Sequence, residues 1–458
     1  MEQHRDALLA VFKGLSQDHY VLIKGILEGF WTGLWSDPKV KRTLKIGLFN
    51  EVTIGHVRPH LTYFRRYLTS RWQLMKLYER NKSEDEDPSH VPADLVHHFL
   101  LGICSHPGFG ICFKDRGWYP RVDEKVTDND PDLSVQRGSK IYNKILSNVL
   151  KTLKVNEDPR QQELAKKIMS ACPELVAGYE ILAQRSRIIA HIIYSYWSAA
   201  ALTLEPRLSS KWLANIAFFG TILSLPVPSS SFLLTEDSRT GLYHPTPPPL
   251  HTILENILPS VNTKSNFSKG LQSSSGLVQH CTALALIKCL MKYDEVLQTF
   301  RMVAAELEED EEEGEWFKRT RDLEREVRRR VPEFQVVVAF SQHGLVHDTA
   351  APANHQSEGQ PMSLNATRSS LLAESALRLL WMYHRCLPSL AAEARFDIGK
   401  LLQRFSKISS DEDDEEEETE VPDAVERLDR VRRLHVLRLL KESDQFTLTG
   451  KLSGTEYL

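Results

Sequence analysis

The sequence predicts an all-α fold, and three observations lead to this prediction. Apolar residues recur at helical spacing, which places them on one face of a helix; one such stripe comprises Ile141, Ile145, Val149 and Leu153. Polar breaks with proline separate such segments at intervals of roughly 20 to 40 residues. Strand patterns are scarce, and the best, 334–340 (FQVVVAF), fits a buried helix equally well. Many helices with short breaks indicate stacked helical pairs, an α-solenoid of the armadillo or HEAT kind.

The same periodicity predicts further helices along the chain. They are expected at 95–104, 175–193, 212–225, 284–291, 372–383 and 424–440. No clean repeat of fixed length accompanies them, and degenerate HEAT-like arrays often lack one. The architecture is therefore predicted from helix density and spacing, without support from an internal sequence repeat.

Proline and polar stretches divide the chain. Residues 1–225 are expected to form an N-terminal helical repeat array, and residues 226–249, with six prolines, a proline-rich linker, because proline interrupts helices. The array is expected to continue over 250–405, with a polar loop at 342–368. A C-terminal helical segment at 424–458 ends without a polar capping repeat, which indicates a truncated array.

Two acidic runs dominate the charge of the 458-residue chain. Residues 306–315 hold eight acids and 411–420 hold nine, with no base in either run. Dense like charge favours disorder, so an acidic disordered insertion at 306–315 and an acidic disordered linker at 406–423 are expected. Without these 17 acids the formal net charge changes from −4 to +13. The folded part is thus predicted to be basic and to attract polyanions, although many domains with a positive excess bind no nucleic acid.

Several function classes find no support. No apolar stretch reaches membrane-spanning length, and the N-terminus lacks a signal-peptide core. The six cysteines are dispersed without a CxxC pair, which is typical of reduced, buried thiols. The pair Gly108 and Gly110 lacks the strand and helix of a dinucleotide site. We therefore expect no enzyme, no membrane or small-molecule partner, and no catalytic, cofactor-binding or metal-ligating residue.

Basic segments are the better lead to function. Arginine and lysine interleaved with aromatic residues can contact phosphates and stack on bases. The candidate RNA-contacting residues are Arg58, Arg65, Arg66, Arg71, Lys76, Arg80, Arg328, Arg329 and Arg330. Two alternatives stay open. The aromatic residues of 58–80 could form a core stripe whose arginines merely face solvent, and the basic segment 318–330 could pair with the acidic run before it.

Several strings resemble one family in the same order. They are SSKWLANIAFFGTILSLPVP (209–228), GICFKDRGWYP (110–120), PPLHTILENILP (248–259), LVQHCTALALIKCL (277–290) and RFDIGKLL (395–402). Together they resemble the N-terminal ribosome 60S biogenesis domain of the nucleolar pre-ribosomal-associated protein 1 family. Members of that family are usually much longer, so the resemblance also implies that this sequence is shortened.

The resemblance implies a function. Such proteins are α-helical repeat proteins without enzymatic activity that work in the nucleolus on early pre-60S particles. They associate with pre-ribosomal RNA, small nucleolar RNA, an RNA helicase and other assembly factors. The leading hypothesis is a non-catalytic scaffold in large-subunit assembly. The alternative is a protein-only α-solenoid adaptor that binds peptides or proteins without RNA.

Overall fold

The computed structural model describes nine ranges of the chain and a few isolated residues between them. The ranges are 5–15, 20–40, 92–105, 159–171, 202–227, 229–233, 243–349, 362–393 and 423–442. Regular structure in them is helical, and no strand occurs among the described residues apart from a single bridge between Leu233 and Tyr243. The predicted all-α class is confirmed. The solenoid arrangement and the division into arrays stay predictions.

The chain divides into two compact units. The first comprises Met1–Leu202 and Leu225–His244, and the second comprises Thr203–Ser224 and Pro245–Leu458. The segment 203–224 therefore groups with the residues that follow the proline-rich stretch. Within the described part of the chain, every helix is too short or too polar to span a bilayer.

Four helices of the first unit are described. They are α1 (Arg5–Gly14), α2 (Tyr20–Phe30), which continues as one π-helical turn (Trp31–Trp35), α3 (Pro92–Ser105) and α4 (Pro159–Ala171). The rings of Phe12 and Phe30 pack 4.5 Å apart between α1 and α2. A 3₁₀ turn (Ser229–Phe232) also belongs to this unit.

The second unit contributes nine described helices. They are α5 (Ser210–Leu223), α6 (Leu250–Ile257), α7 (Lys264–Leu271), α8 (Gly276–Glu306), α9 (Glu315–Arg330), α10 (Phe334–Thr349), α11 (Met362–Cys386), α12 (Pro388–Glu393) and α13 (Asp423–Glu442). Local chemistry sets several ends: Ser209 caps α5 by accepting the N–H of Trp212 at 3.2 Å, and Thr263 caps α7 through the N–H of Asn266.

The core of the second unit lies around α8 and α11. Helix α8 packs against α5, α7, α9 and α11, and α11 packs against α8, α10 and α13. Phe300 of α8 meets Trp316 of α9 edge to face at 5.0 Å, and the Tyr383 hydroxyl of α11 donates to the carbonyl of Pro332 at 3.1 Å. Arg385 links α11 to α8 through Asp294 and to α13 through Glu442.

Comparison with the sequence-based predictions gives several confirmations. Helices α3, α5, α8, α11 and α13 contain the predicted helices at 95–104, at most of 212–225, at 284–291, at 372–383 and at 424–440. The ambiguous 334–340 segment lies in α10, because its apolar side chains enter a helical core. The predicted helix at 175–193 lies outside the described residues, as do Ile141, Ile145 and Val149 of the stripe that ends at Leu153.

Two predictions are wrong. The polar loop at 342–368 is helical at both of its ends, since α10 continues to Thr349 and α11 begins at Met362. The acidic run 306–315 is not a disordered insertion: it ends α8, forms a defined turn and begins α9. Hydrogen bonds to its own backbone hold this turn, as described below. The second acidic run lies outside the described residues.

Candidate nucleic-acid interface

Three of the candidate RNA-contacting residues, Arg328, Arg329 and Arg330, form the last turn of α9. The helix carries seven basic and four acidic residues. Basic side chains in a last turn interact favourably with the negative end of the helix dipole, so this cluster is stabilised by its position. The other six candidates, between Arg58 and Arg80, lie outside the described residues.

Each of the three arginines has a carboxylate partner. Arg328 pairs with Glu393 of α12, and Arg329 pairs with Glu326 one turn earlier at 2.9 Å. Arg330 reaches α6, where it donates to Glu255 at 3.2 Å and to the carbonyl oxygen of Leu258 at 3.1 Å. The cluster is therefore partly neutralised by acids from three different helices.

The three pairs differ in how far they restrain the arginine. The side chain of Glu255 is only 3% exposed, and its carboxylate also accepts the N–H and the hydroxyl of Ser260 at 2.9 and 3.0 Å. Arg330 thus fastens α9 to α6. Arg329 is 73% exposed and has a neighbour on its own helix as partner, a kind of pair that contributes little stability. Arg329 is the most available of the three to an external anion.

The acidic run before α9 folds back on its own backbone. Asp310 Oδ1 accepts the N–H groups of Glu312 and Glu313 at 2.8 and 3.1 Å, and these hydrogen bonds lower the pKa of Asp310. The carboxylate of Glu309 accepts the N–H of Trp316 at 2.9 Å, in the first turn of α9. Anionic groups at a helix N-terminus are favourable. The run therefore acts as the N-terminal cap of α9.

Backbone geometry and one basic side chain complete the turn. Glu308 adopts a left-handed conformation with φ 52°. A Cβ on Gly314 would lie 2.6 Å from the carbonyl oxygen of Asp310, so this position requires glycine. Arg321 donates to the carbonyl oxygens of Glu311 and Glu312 at 3.2 and 2.7 Å. The alternative in which the basic segment 318–330 pairs with the acidic run is confirmed in part. Arg321 binds the backbone of the acidic run, whereas Arg328 and Arg330 pair with carboxylates elsewhere in the chain.

Helix α13 presents a basic and aromatic arrangement of its own. His435 is buried and bonds Glu374 of α11 at 3.1 Å, while its ring stacks on Trp381 at 5.9 Å. The guanidinium of Arg438 lies 4.8 Å from the Trp381 ring centroid, a cation–π distance. Arg432 is buried and pairs with Asp429 at 2.7 Å. His435 and Arg438 thus hold α13 on α11, whereas the Arg432 pair lies within α13.

The two buried core thiols, Cys289 and Cys386, are not set up for nucleophilic chemistry. Burial raises the pKa values of Cys289 and Cys386 well above the usual range of thiols, so both stay protonated. Burial also lowers the pKa of His384 to about 4 and that of Lys292 to about 8. Among the described residues, no group of three or more His, Cys, Asp or Glu side chains is arranged to hold a metal ion.

One pair of basic residues could not be identified from the sequence. Lys288 of α8 and Arg378 of α11 lie close enough for the charge of Arg378 to lower the pKa of Lys288, in addition to the larger effect of burial. They are 90 positions apart in the chain and neither belongs to a basic segment. Only the packing of α8 against α11 brings them together.

The fold and these surfaces define a class, namely all-α proteins with charged helical surfaces, to which many binding and assembly modules belong. Comparison with known proteins shows which family within this class the chain is similar to. Residues 1–215 match the family model described as "Npa1: Ribosome 60S biogenesis N-terminal". No solved structure matches the chain.

Three curated relatives carry the name nucleolar pre-ribosomal-associated protein 1. The Saccharomyces cerevisiae protein is 25% identical over 289 residues, which cover 62% of this chain and 14% of the relative. The Homo sapiens protein is 22% identical over 420 residues and the Mus musculus protein 21% identical over 406, each covering 85% of this chain and 16% of the relative. The chain thus spans only a small part of the length of these relatives. The family resemblance seen in the sequence is confirmed.

Proposed function

We propose that this chain is a non-catalytic scaffold in early 60S subunit assembly that works in the nucleolus and associates with pre-ribosomal RNA. The observation that carries the proposal is the match of residues 1–215 to a 60S biogenesis domain. Two relatives that align with 85% of this chain are named nucleolar pre-ribosomal-associated protein 1. That name supports the nucleolar location and the association with pre-ribosomal particles. Small nucleolar RNA, an RNA helicase and other assembly factors are the further partners that the family resemblance implies.

The charge distribution supports association with RNA. The chain outside the second acidic run carries a formal charge of +5, and two acids of the first run, Asp310 and Glu309, bind backbone N–H groups before and at the start of α9. Arg329 remains highly exposed at the end of that helix. Positive surface of this kind binds phosphate backbones with release of counterions, which gives affinity without requiring sequence recognition.

The packing of the second unit supports a scaffold built from stacked helical pairs. Helix α8 packs with α9 and α10 packs with α11, and these two pairs meet through α8 and α11. Stacked pairs of this kind extend into α-solenoids, which present long surfaces to several partners. We propose that the described helices form part of such an array.

A salt titration tests the RNA association. Binding of the full chain to a structured ribosomal RNA fragment is expected to weaken steeply with salt, with a log–log slope that scales with the number of phosphate contacts. Replacing Arg65, Arg66 and Arg71 with Glu is expected to lower affinity by about tenfold or more near 0.1 M salt, with helicity retained by circular dichroism. Affinity that ignores ionic strength would remove the electrostatic basis of the proposal.

The control for that triple variant changes three exposed cations that have carboxylate partners. Lys269, Lys318 and Arg325 are at least half exposed and pair with Glu205, Glu315 and Asp322. Their replacement with Glu is expected to reduce RNA affinity less than the first set. If the variant at 65, 66 and 71 instead unfolds the chain, the aromatic residues of 58–80 are core residues and the candidate contacts there are lost.

A protein-only adaptor is the second candidate, and one observation favours it. Val431, Leu434 and Leu437 lie exposed along α13, at 39, 42 and 41%, beside the exposed Arg438 and Lys441. A mixed apolar and basic stripe of this kind suits an amphipathic helix with acidic residues. The adaptor would recognise peptide or protein partners directly.

Affinity purification with and without ribonuclease separates the two candidates. The scaffold proposal expects the tagged chain to sediment with pre-60S particles and to lose most partners when RNA is digested. An unchanged partner set after digestion, together with no sedimentation in the pre-60S range, favours the adaptor.

A further inference from the structure

We propose that Lys288 and Arg378 form a binding site for a backbone phosphate of RNA, a site that the basic segments of the sequence do not reveal. The proposal rests on the RNA association proposed above and gives it a location at the surface where α8 meets α11. The two cations come from neighbouring helices, and no described carboxylate pairs with either.

The position of Lys288 is set by a glycine. A Cβ on Gly220 of α5 would lie 3.1 Å from Cδ and 3.2 Å from Nζ of Lys288. The lysine side chain therefore lies along α5, half-buried, in a contact that a methyl group at position 220 would make tighter. Burial of this ammonium lowers the pKa of Lys288, as expected for a charge partly removed from water.

Arg378 adds a second charge instead of relieving the first. Its Nη2 donates to the thioether sulfur of Met291 at 3.4 Å, a weak acceptor that carries no negative charge. The nearby guanidinium lowers the pKa of Lys288 further, because two like charges repel each other. The two groups thus stand at the surface as a repelling pair.

Nothing in the described part of the chain compensates this pair. No described carboxylate lies within ion-pair distance of Lys288 or Arg378. Glu374, one turn before Arg378, is buried and is bonded to His435 at 3.1 Å. Arg385, two turns beyond on the same helix, shows the usual arrangement, with Asp294 at 3.0 Å and Glu442 at 3.4 Å. An uncompensated, partly buried pair is unfavourable unless an anion completes it.

A phosphodiester suits this arrangement. It offers two non-bridging oxygens that share one negative charge, so each oxygen can accept from one of the two cations. A planar guanidinium binds such oxygens in a fork, and an ammonium binds them as a point charge. Because neither cation reads a base, the site is expected to contribute affinity without sequence preference.

A double variant tests the site in the full chain. Replacing Lys288 and Arg378 with Met keeps the apolar stems and removes both charges. We expect affinity for the structured RNA fragment to fall about five- to tenfold near 0.1 M salt and the log–log salt slope to fall by about one to two. The matched control replaces Lys269 and Arg325, exposed cations with carboxylate partners, and is expected to change affinity less than twofold. Equal losses in both variants would overturn the site.

A second measurement decides the site even if the chain binds no RNA. Inorganic phosphate, with chloride as the ionic-strength control, is expected to raise the pKa of Lys288, because an anion stabilises the ammonium. The pKa is followed through the pH dependence of amine labelling, read by mass spectrometry at this lysine. A pKa that phosphate leaves unchanged overturns the site. Loss of RNA binding in the wild-type chain together with a phosphate response overturns only the wider proposed function.

A third variant tests whether a loss of RNA affinity comes from the displaced lysine and not from unfolding of the chain. Gly220→Ala retains both cations and brings a methyl group to 3.1 Å from Cδ and 3.2 Å from Nζ of Lys288, so that the lysine side chain must shift. Alanine is a better helix former than glycine, so the fold is expected to persist. RNA affinity is expected to fall about twofold or more as the lysine moves away. Unchanged affinity, with helicity intact, would contradict the proposed position of Lys288.

Discussion

Two basic regions of the second unit have opposite character. On α9 seven cations crowd one helix, yet Arg328, Arg329 and Arg330 each have a carboxylate and Arg321 is bound to backbone carbonyls. Between α8 and α11 there are only two cations, Lys288 and Arg378, and no described carboxylate pairs with either. The region with more positive charge therefore has fewer cations without a carboxylate or backbone partner, and so fewer that are free to bind an external anion.

This difference shows that the density of basic residues is a poor measure of anion binding. A cation that already has an acid must give up that partner before it can bind a phosphate, and the cost rises with burial of the pair. A cation beside another cation gains from any anion that arrives. Variants that break the paired region, or that relieve the unpaired one, should therefore act in opposite directions on stability.

The largest effect is expected from Glu255. This buried carboxylate holds Arg330, the N–H of Ser260 and the hydroxyl of Ser260. Glu255→Ala leaves the half-buried guanidinium and the Ser260 N–H without this partner, and breaking buried pairs is strongly destabilising. We expect the free energy of unfolding to fall by about 3 kcal/mol, measured by urea denaturation.

The control for this substitution is Glu326→Ala on α9. Glu326 pairs with Arg329 three positions further along, and that arginine is 73% exposed. Exposed pairs on one helix contribute at most about 0.5 kcal/mol. Equal destabilisation by the two variants would mean that the Glu255 pair does not fasten α6 to α9.

An intermediate effect is expected from His384, an uncompensated group in the core. Its Nε2 is buried without a hydrogen-bond partner, its ring lies edge-on to Phe334 at 5.5 Å, and burial lowers its pKa to about 4. The unfolded chain, with an ordinary histidine pKa, binds the proton first as pH falls from about 6.5 to 4, so stability decreases over that window. Between pH 7.5 and 5 we expect a loss of about 2 kcal/mol that His384→Phe abolishes.

Urea denaturation of both proteins at several pH values measures that loss. The carboxylates that titrate below pH 5 are common to both proteins, so the difference between the two pH profiles isolates the histidine. Parallel profiles from pH 7.5 to 5 would show that the pKa of His384 is the same in the folded and the unfolded chain, which would contradict the lowered value.

Much of the fold follows from local sequence patterns. The stripe of Leu372, Ala376, Leu379 and Tyr383 predicted α11 because helical periodicity is a property of neighbouring residues. The acidic turn was predicted wrongly for an equally physical reason. The number of negative charges in the run predicts that they repel each other and keep the segment disordered. In the structure, however, the carboxylate oxygens of Asp310 and Glu309 accept backbone N–H groups, which composition alone does not reveal.

The candidate interface could be predicted only in part. Sequence analysis found Arg328, Arg329 and Arg330 because they are adjacent, but it gave no sign of Glu393 or Glu255, which lie 65 and 75 positions away. Lys288 and Arg378 were missed for the same reason. Pairing of charges between helices depends on tertiary packing, and no spacing rule within one helix encodes it.

The smallest effect on stability is expected from single substitutions of one unpaired and one paired cation, which compare the two basic regions directly. Lys288→Met removes one of two like charges and keeps the stem that lies along Gly220, so the free energy of unfolding is expected to stay level or rise by about 0.5 kcal/mol. Arg325→Met removes an exposed cation that pairs with Asp322 at 3.1 Å and is expected to lower stability by at most about 0.5 kcal/mol. Urea denaturation at low salt, where surface charges are least screened, gives the best chance of resolving the two signs. A clear loss of stability in Lys288→Met would mean that the lysine already has a partner in the folded chain, and the contrast between the two regions would disappear.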